Sequence, residues 1–306
     1  MKKIFNNLKL IPLIVTFLIL TFIFSGINAF SINDPKQNLT NSVKLVLDND
    51  NLNTLPSHFR KSTDIQSIAN NEQIDTTGLE SLNISGSQQF SKSNFPIIIN
   101  ALDTKLPIII FDLRQESHGF INSYPISFQG EHNAANKGLN DEQVINKEKE
   151  QLNSIKIDVP IDVSNSSTKT LIPETVMDER SFITSCNMKY IRIFATDEEL
   201  PSNTVIDSFI KNIKEIKNES WLHFHCKEGI GRTTTFMIFY DMMKNYKNIT
   251  ANEIIQRQID LADFDDNDIN FLTSERRINL YNTFYNYCKE HGDKFEISFS
   301  KYVETK

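Results

Sequence analysis

Leu222-His-Phe-His-Cys-Lys-Glu-Gly-Ile-Gly-Arg-Thr233 is the stretch on which the reading of this chain turns. Trp221–His225 reads as a strand. A helical pattern begins near Arg232 and carries Phe236, Met237, Phe239 and Tyr240. Between them runs a short loop, Lys227, Glu228, Gly229, Ile230 and Gly231. Its glycines let successive backbone N–H groups turn towards one centre, and the following helix adds the positive end of its dipole. The planar fork of Arg232 can hold two oxygens of one phosphate. Cys226, on the floor of this cradle, lies among positive groups that favour its thiolate, the nucleophilic form. A buried strand-end cysteine followed by helix-capping glycines is the bland alternative. It does not account for His225, Cys226, two glycines, Arg232 and Thr233 in this order at one strand-to-helix turn.

Working outward, the C-terminal third alternates strand and helix. Ser202 is placed to cap a helix with Ile206, Phe209, Ile210 and Ile213 on one face. Asn252–Leu261 reads as a further helix. The last begins near Ser274, carries Ile278, Tyr281, Tyr285 and Cys288 on one face, and stops before Gly292. Upstream, Phe95–Leu102 is an apolar run, and Leu106–Leu113 has the continuous pattern of a buried strand. Ile155–Ile161 alternates like a half-buried strand, and Tyr190–Phe194 is another strand candidate. This order predicts an α/β fold. The irregular, polar and strand-like stretch at about 123–184 predicts a small β unit inserted into it.

The N-terminus is the sharpest compositional break. Met1–Lys9 is polar and basic, Leu10–Phe24 is nearly all apolar, and Ser25, Gly26 and Ala29 are small. This predicts a secretory signal peptide over 1–29, cleaved after Ala29, and hence an exported protein, periplasmic or extracellular. An uncleaved membrane anchor is the alternative, and a membrane is a partner only in that case. A polar segment over 30–49 and a catalytic domain over 50–306 complete the expected organisation. The formal net charge is −7, and loss of Lys2, Lys3 and Lys9 with the signal peptide takes it to −10. Such a balance excludes nucleic acid and bulk anionic surfaces as general partners. Three cysteines exclude a disulfide scaffold, with Cys288 a core thiol and Cys186 either packed or paired.

The order His225-Cys226, five residues, Arg232-Thr233 resembles the signature of cysteine-dependent phosphatases of the protein-tyrosine-phosphatase superfamily. The longer run from Trp221 to Thr234 is similar to the loop of the bacterial tyrosine-phosphatase-like inositol polyphosphatases, the cysteine phytases. Asp112-Leu-Arg-Gln-Glu-Ser-His-Gly119 resembles a segment of that family just ahead of its inserted small β domain. Arg192-Ile-Phe-Ala-Thr-Asp-Glu-Glu-Leu-Pro201 stands in the place of its general-acid loop. Weaker likeness lies in Leu55–Arg60 and Ser85–Phe90. The resemblance implies a tyrosine-phosphatase-like central sheet flanked by helices, with an inserted small β-barrel-like domain.

Carried over by position, the resemblance makes Cys226 the nucleophile, Arg232 the phosphate clamp and Asp197 the general acid. Thr233 would hydrogen-bond the sulfur, and His225 would hold the loop. An alkoxide is a poor leaving group, so a carboxylic acid must protonate it, which agrees with Asp197 on a loop. Arg232 and the loop amides neutralise the phosphate, so no metal or other cofactor is expected. The expected substrate is a small polyanion, an inositol phosphate, for which further contacts are sought in Lys227, Arg60, Asp112, Arg114 and Lys169. After the loop helix, where the family carries a lysine-rich stretch, this chain has Asp263, Phe264, Asp265, Asp266, Asn267 and Asp268, with Arg276 and Arg277 further on. That acidic run begins like a calcium loop but lacks the required Gly and Glu, and it reads as a solvated loop. Tyrosine or phosphoinositide phosphatase activity with the same residues is the nearest alternative function. Rhodanese-like sulfur transfer and a non-enzymatic phosphate-binding module are the more distant ones.

Overall fold

The computed structural model describes residues 36–37, 43–68, 74–130, 135–165 and 167–306. The expected signal peptide over 1–29 lies outside them. In chain order the strands are β1 (Lys44–Leu47), β2 (Arg60–Lys61), β3 (Ile84–Gln88), β4 (Ile108–Asp112), β5 (His118–Ile121), β6 (Tyr124–Gln129), β7 (Ile161–Ser164), β8 (Thr168–Leu171), β9 (Val176–Met177), β10 (Lys189–Arg192) and β11 (Trp221–Cys226). The helices are α1 (Ile65–Ile68), α2 (Phe95–Leu102), α3 (Asp141–Asn153), α4 (Glu179–Ser185), α5 (Asn203–Glu215), α6 (Gly231–Asn245), α7 (Ala251–Asp260), α8 (Asp266–Leu272), α9 (Glu275–His291) and α10 (Phe299–Glu304).

β11 is the middle strand of a five-stranded sheet ordered β10-β4-β11-β3-β2. It pairs in parallel with both β4 and β3, and β10 is parallel to β4; only β2 runs antiparallel. A parallel sheet is covered on both faces, which is why β4 is apolar nearly throughout and every residue of β11 is buried. Side chains alternate along β11. Leu222, Phe224 and Cys226 face a core shared with Phe209, Phe236, Phe239, Tyr281 and Phe284. Trp221 faces a second core with Phe90, Phe95, Ile110, Phe120 and Ile183. Helix α6 is buried on every side from Arg232 to Met243, the pattern of a helix enclosed by its neighbours. The Ser202 cap is made, its side chain accepting from Val205 N, and α9 ends at Gly292 as the sequence predicts.

The second sheet has six strands in the order β8-β7-β1-β6-β5-β9. Leu45, Leu47, Ile126, Phe128, Leu152 and Val163 form the heart of its core. Two expected boundaries move. The segment over 30–49 was expected to be merely polar, but β1 lies within it and pairs with β6 from Lys44↔Gln129 to Leu47↔Ile126. Its short apolar run is masked by Asn-, Ser- and Asp-rich flanks. At the other end, α4 contributes Ile183 to the core of the main sheet, so the β unit stops near β9 rather than at 184. The strand predicted over Ile155–Ile161 is a turn. Asp158 takes a left-handed φ of 59° there, and β7 starts only at Ile161.

Candidate active site

Cys226 ends β11 and Gly231 opens α6, so the cradle loop spans the strand-to-helix turn. Cys226 is buried, and its Sγ accepts hydrogen bonds from Gly229 N at 3.3 Å and Thr233 Oγ1 at 3.2 Å. Two donors on one sulfur suit an anion. From behind, Arg60 donates to Gly229 O at 3.1 Å, and Gln89 N donates to Lys227 O at 3.2 Å. Gly229 has φ 79°, and a Cβ there would strike Gln88 N and lie 2.5 Å from the Ser87 carbonyl carbon. A Gly229→Ala protein is therefore expected to lose about 1–3 kcal/mol of stability in denaturant unfolding, and its loop to shift. Unchanged stability would show that the loop has slack.

Arg232 is gripped from two sides. Its Nη1 and Nη2 donate to Glu116 Oε2 and Oε1 at 2.6 and 3.0 Å, and Nη2 lies 2.9 Å from Asp197 Oδ1. Ala195 O accepts from Nη1 at 3.2 Å. Burial by itself pushes the Glu116 carboxyl up, but Arg232 and Arg114 overcome it and hold it well below the ordinary range. Asp197 follows β10 on a loop and is 24% exposed, so it reaches both the guanidinium and solvent. The next residue, Glu198, takes a left-handed φ of 57°, and its N–H donates to Asp197 Oδ1 at 3.1 Å. That turn aims Asp197 at Arg232.

Behind Cys226, His225 Nε2 lies 2.7 Å from Glu179 Oε1, both buried. Glu179 also takes a hydrogen bond from Gln89 Nε2 at 2.8 Å and lies 3.4 Å from His118 Nε2. Burial raises the Glu179 carboxyl, but His225 and His118 bring it down to about 2. Burial and Arg114 push His118 down, yet Asp112, 3.3 Å away, holds it at about 10. Among the described residues, the hydrogen-bond partners of His223 are Ser85 and Ser87, and burial takes it down to about 3.

These shifts set a pH dependence of stability. His118, raised above 6.5, stabilises fully below pH 6.5, and its contribution fades as pH climbs towards 10. His223, depressed, stabilises fully above pH 6.5 and loses this as pH falls towards 3; Glu179 adds a further loss from about 4.5 towards 2. Thermal stability should peak near neutral pH, with each group contributing at most about 1.4 kcal/mol per pH unit. A midpoint that rises steadily from pH 7 to 10 would contradict the His118 assignment, and His118→Asn should flatten that limb.

The cleft in front of Cys226 encloses about 270 Å³. Of the expected site residues, it brings together Cys226, Arg232, Asp197 and the loop residues Lys227, Glu228, Ile230 and Gly231. His225, Thr233 and Gly229 stand directly behind, and four other expected substrate contacts are placed elsewhere. Arg60 is buried under the loop, donating to Gly229 O, His58 O and Thr234 Oγ1. Arg114 is enclosed by Asp48, Gln89, Glu116 and Ser127. Asp112 is buried against His118 and Arg192. Lys169 lies on the edge strand β8, its ammonium 3.8 Å over the Tyr124 ring. Positive charge alone suggested the three basic residues, but burial with fixed partners decides their role.

Three residues given no site role from sequence complete the arrangement. Glu116 lies inside the Asp112–Gly119 segment, and the need of a buried arginine for a carboxylate was the available signal. Glu179 offers no local signal. Arg277, on α9, lines the cleft with its guanidinium 4.1 Å over the Phe271 ring and Nη1 donating to Thr235 Oγ1 at 3.0 Å. Within the acidic run, Asp265 caps α8 by accepting from Asn267 N and Asp268 N.

The loop lies within residues 111–244, which match the sequence model of the PTP-like phytase family, described as "Inositol hexakisphosphate". The structure of a PTP-like phytase from Bdellovibrio bacteriovorus is 30% identical with a TM-score of 0.70, over 88% of this chain and 98% of that one. The PTP-like myo-inositol phosphatase from Mitsuokella multacida, solved with myo-inositol-(1,3,4,5)-tetrakisphosphate, is 26% identical with a TM-score of 0.77, over 89% of this chain and 49% of its own. Effector protein hopD2 of Pseudomonas syringae pv. tomato is 28% identical over 265 residues, 80% of this chain and 56% of its own. The chain thus spans about half the length of these last two relatives. Nearly end-to-end cover of the Bdellovibrio protein, with the cradle, its arginine and the two-sheet fold in place, means that this chain belongs to the PTP-like phytase family.

Proposed function

We propose that the chain removes phosphate from myo-inositol polyphosphates through a phosphocysteine intermediate. The observation that carries this reading is the Cys226 sulfur with two hydrogen-bond donors in one cleft with Arg232, which Asp197 approaches to 2.9 Å. In the first step the Cys226 thiolate attacks phosphorus, forming the S–P bond as the ester P–O bond breaks. Asp197 gives its proton to the departing oxygen. In the second, Asp197 takes a proton from water as the water oxygen bonds to phosphorus, and the S–P bond breaks to return the thiolate. Thr233 Oγ1 and Gly229 N stabilise that thiolate as it leaves. Glu116 holds the Arg232 fork in plane, so the phosphate meets a guanidinium already fixed. His225, tied to Glu179, keeps the end of β11 in place.

The N-terminal composition supports export, and the six-stranded sheet is read as the family's small domain. Phosphate release from inositol phosphates, compared with release from a phosphotyrosine peptide, tests the reading. Turnover of inositol phosphates should dominate. A strong preference for the peptide would replace it with tyrosine phosphatase activity by the same residues.

A further inference from the structure

We propose that, among inositol phosphates, this cleft is built for members carrying two or three phosphates rather than for the hexakisphosphate; this rests on the function proposed above. Among the described residues, three cations line the cleft: Lys227, Arg232 and Arg277. Arg232 belongs to the reacting phosphate, with Glu116 as its counter-ion. Two cations are left for the rest of the substrate. Glu198, Glu199, Glu228 and Asp268 share the same walls, Glu199 paired with Lys137 at 2.5 Å, so beyond the reacting centre carboxylates outnumber cations. The other basic residues expected as substrate contacts are withdrawn: Arg60 and Arg114 are buried with their own partners, and Lys169 is on the other sheet's edge.

A hexakisphosphate brings five more phosphates than the reacting one, and most would face carboxylate or open solvent. Like charges brought together at a binding surface carry a large penalty. One or two further phosphates fit better. Arg277 is held by Thr235 and by the Phe271 ring, so its fork is fixed before substrate arrives. Phe271 is 41% exposed and offers an apolar face to the C–H edge of a sugar-like ring. The net charge of −7 adds long-range repulsion that grows with each phosphate.

The test is kcat/KM for inositol bis-, tris-, tetrakis- and hexakisphosphate on the full chain at fixed ionic strength. The bis- or trisphosphate should be best, with the hexakisphosphate lower by about tenfold or more. Added salt should narrow that gap in the unaltered protein, because the net repulsion is screened. Asp268→Asn and Asp268→Lys should narrow it further, mainly through KM for the hexakisphosphate. A hexakisphosphate that is the best substrate overturns this inference and leaves the proposed function standing. A gap that neither salt nor the Asp268 variants change overturns the charge argument. Hydrolysis of a phosphotyrosine peptide with none of the inositol phosphates sinks the proposed function itself, and this inference with it.

Discussion

Replacing Cys226 by serine is expected to lower phosphate release by at least about 10⁴-fold while leaving the protein folded and able to bind substrate. Both hydrogen bonds to Sγ come from donors, Gly229 N and Thr233 Oγ1. Such a site stabilises an anion that has already formed but takes no proton from a hydroxyl. A serine there stays protonated and is a poor nucleophile. Because Arg232 keeps its bidentate contact with Glu116, the anion site survives the change. Calorimetric binding of an inositol phosphate should therefore persist when turnover is gone. Turnover within tenfold of the unaltered protein would rule out the phosphocysteine.

The second large effect concerns the proton. Asp197→Asn should lower kcat for inositol phosphates by roughly 10²- to 10⁴-fold, because an inositol alkoxide needs protonation as it leaves. The loss should be much smaller with para-nitrophenyl phosphate, whose leaving group departs as a stable anion. Asparagine keeps an oxygen near Arg232, where Asp197 sits at 2.9 Å, so the loop should not collapse. Equal losses on both substrates would mean that Asp197 acts by charge or position. Undiminished turnover of inositol phosphates would mean that another group protonates the leaving oxygen.

The cradle was legible because its parts are neighbours in the chain: Cys226, Gly229, Gly231, Arg232 and Thr233 fall within one turn. The helices around it were legible too, since Ser202 and Gly292 mark their ends chemically. The supports were not. Glu116 and Glu179 reach Arg232 and His225 only because the sheet sets His225 beside Asp112 and brings the following segment under the loop. No local pattern encodes that register. Burial reversed the reading of Arg60 and Arg114, whose charge alone suggested phosphate ligands. Over Ile155–Ile161, alternating apolar residues imitated a strand, while the chain turned at Asp158.

Arg114 bears on how this chain can be cut or recombined. Its guanidinium is held by Asp48, just after β1, and by Ser127 in β6, while Nε holds Glu116 at 2.8 Å. Removing the small sheet would strand a buried cation next to the carboxylate that aligns Arg232, a change expected to be strongly destabilising. The two sheets are therefore not independent modules. A chimera that exchanges the small sheet between relatives has to carry the aspartate and the serine with it. Without them, every side chain of the cradle would be present in a protein that no longer holds the cradle in shape.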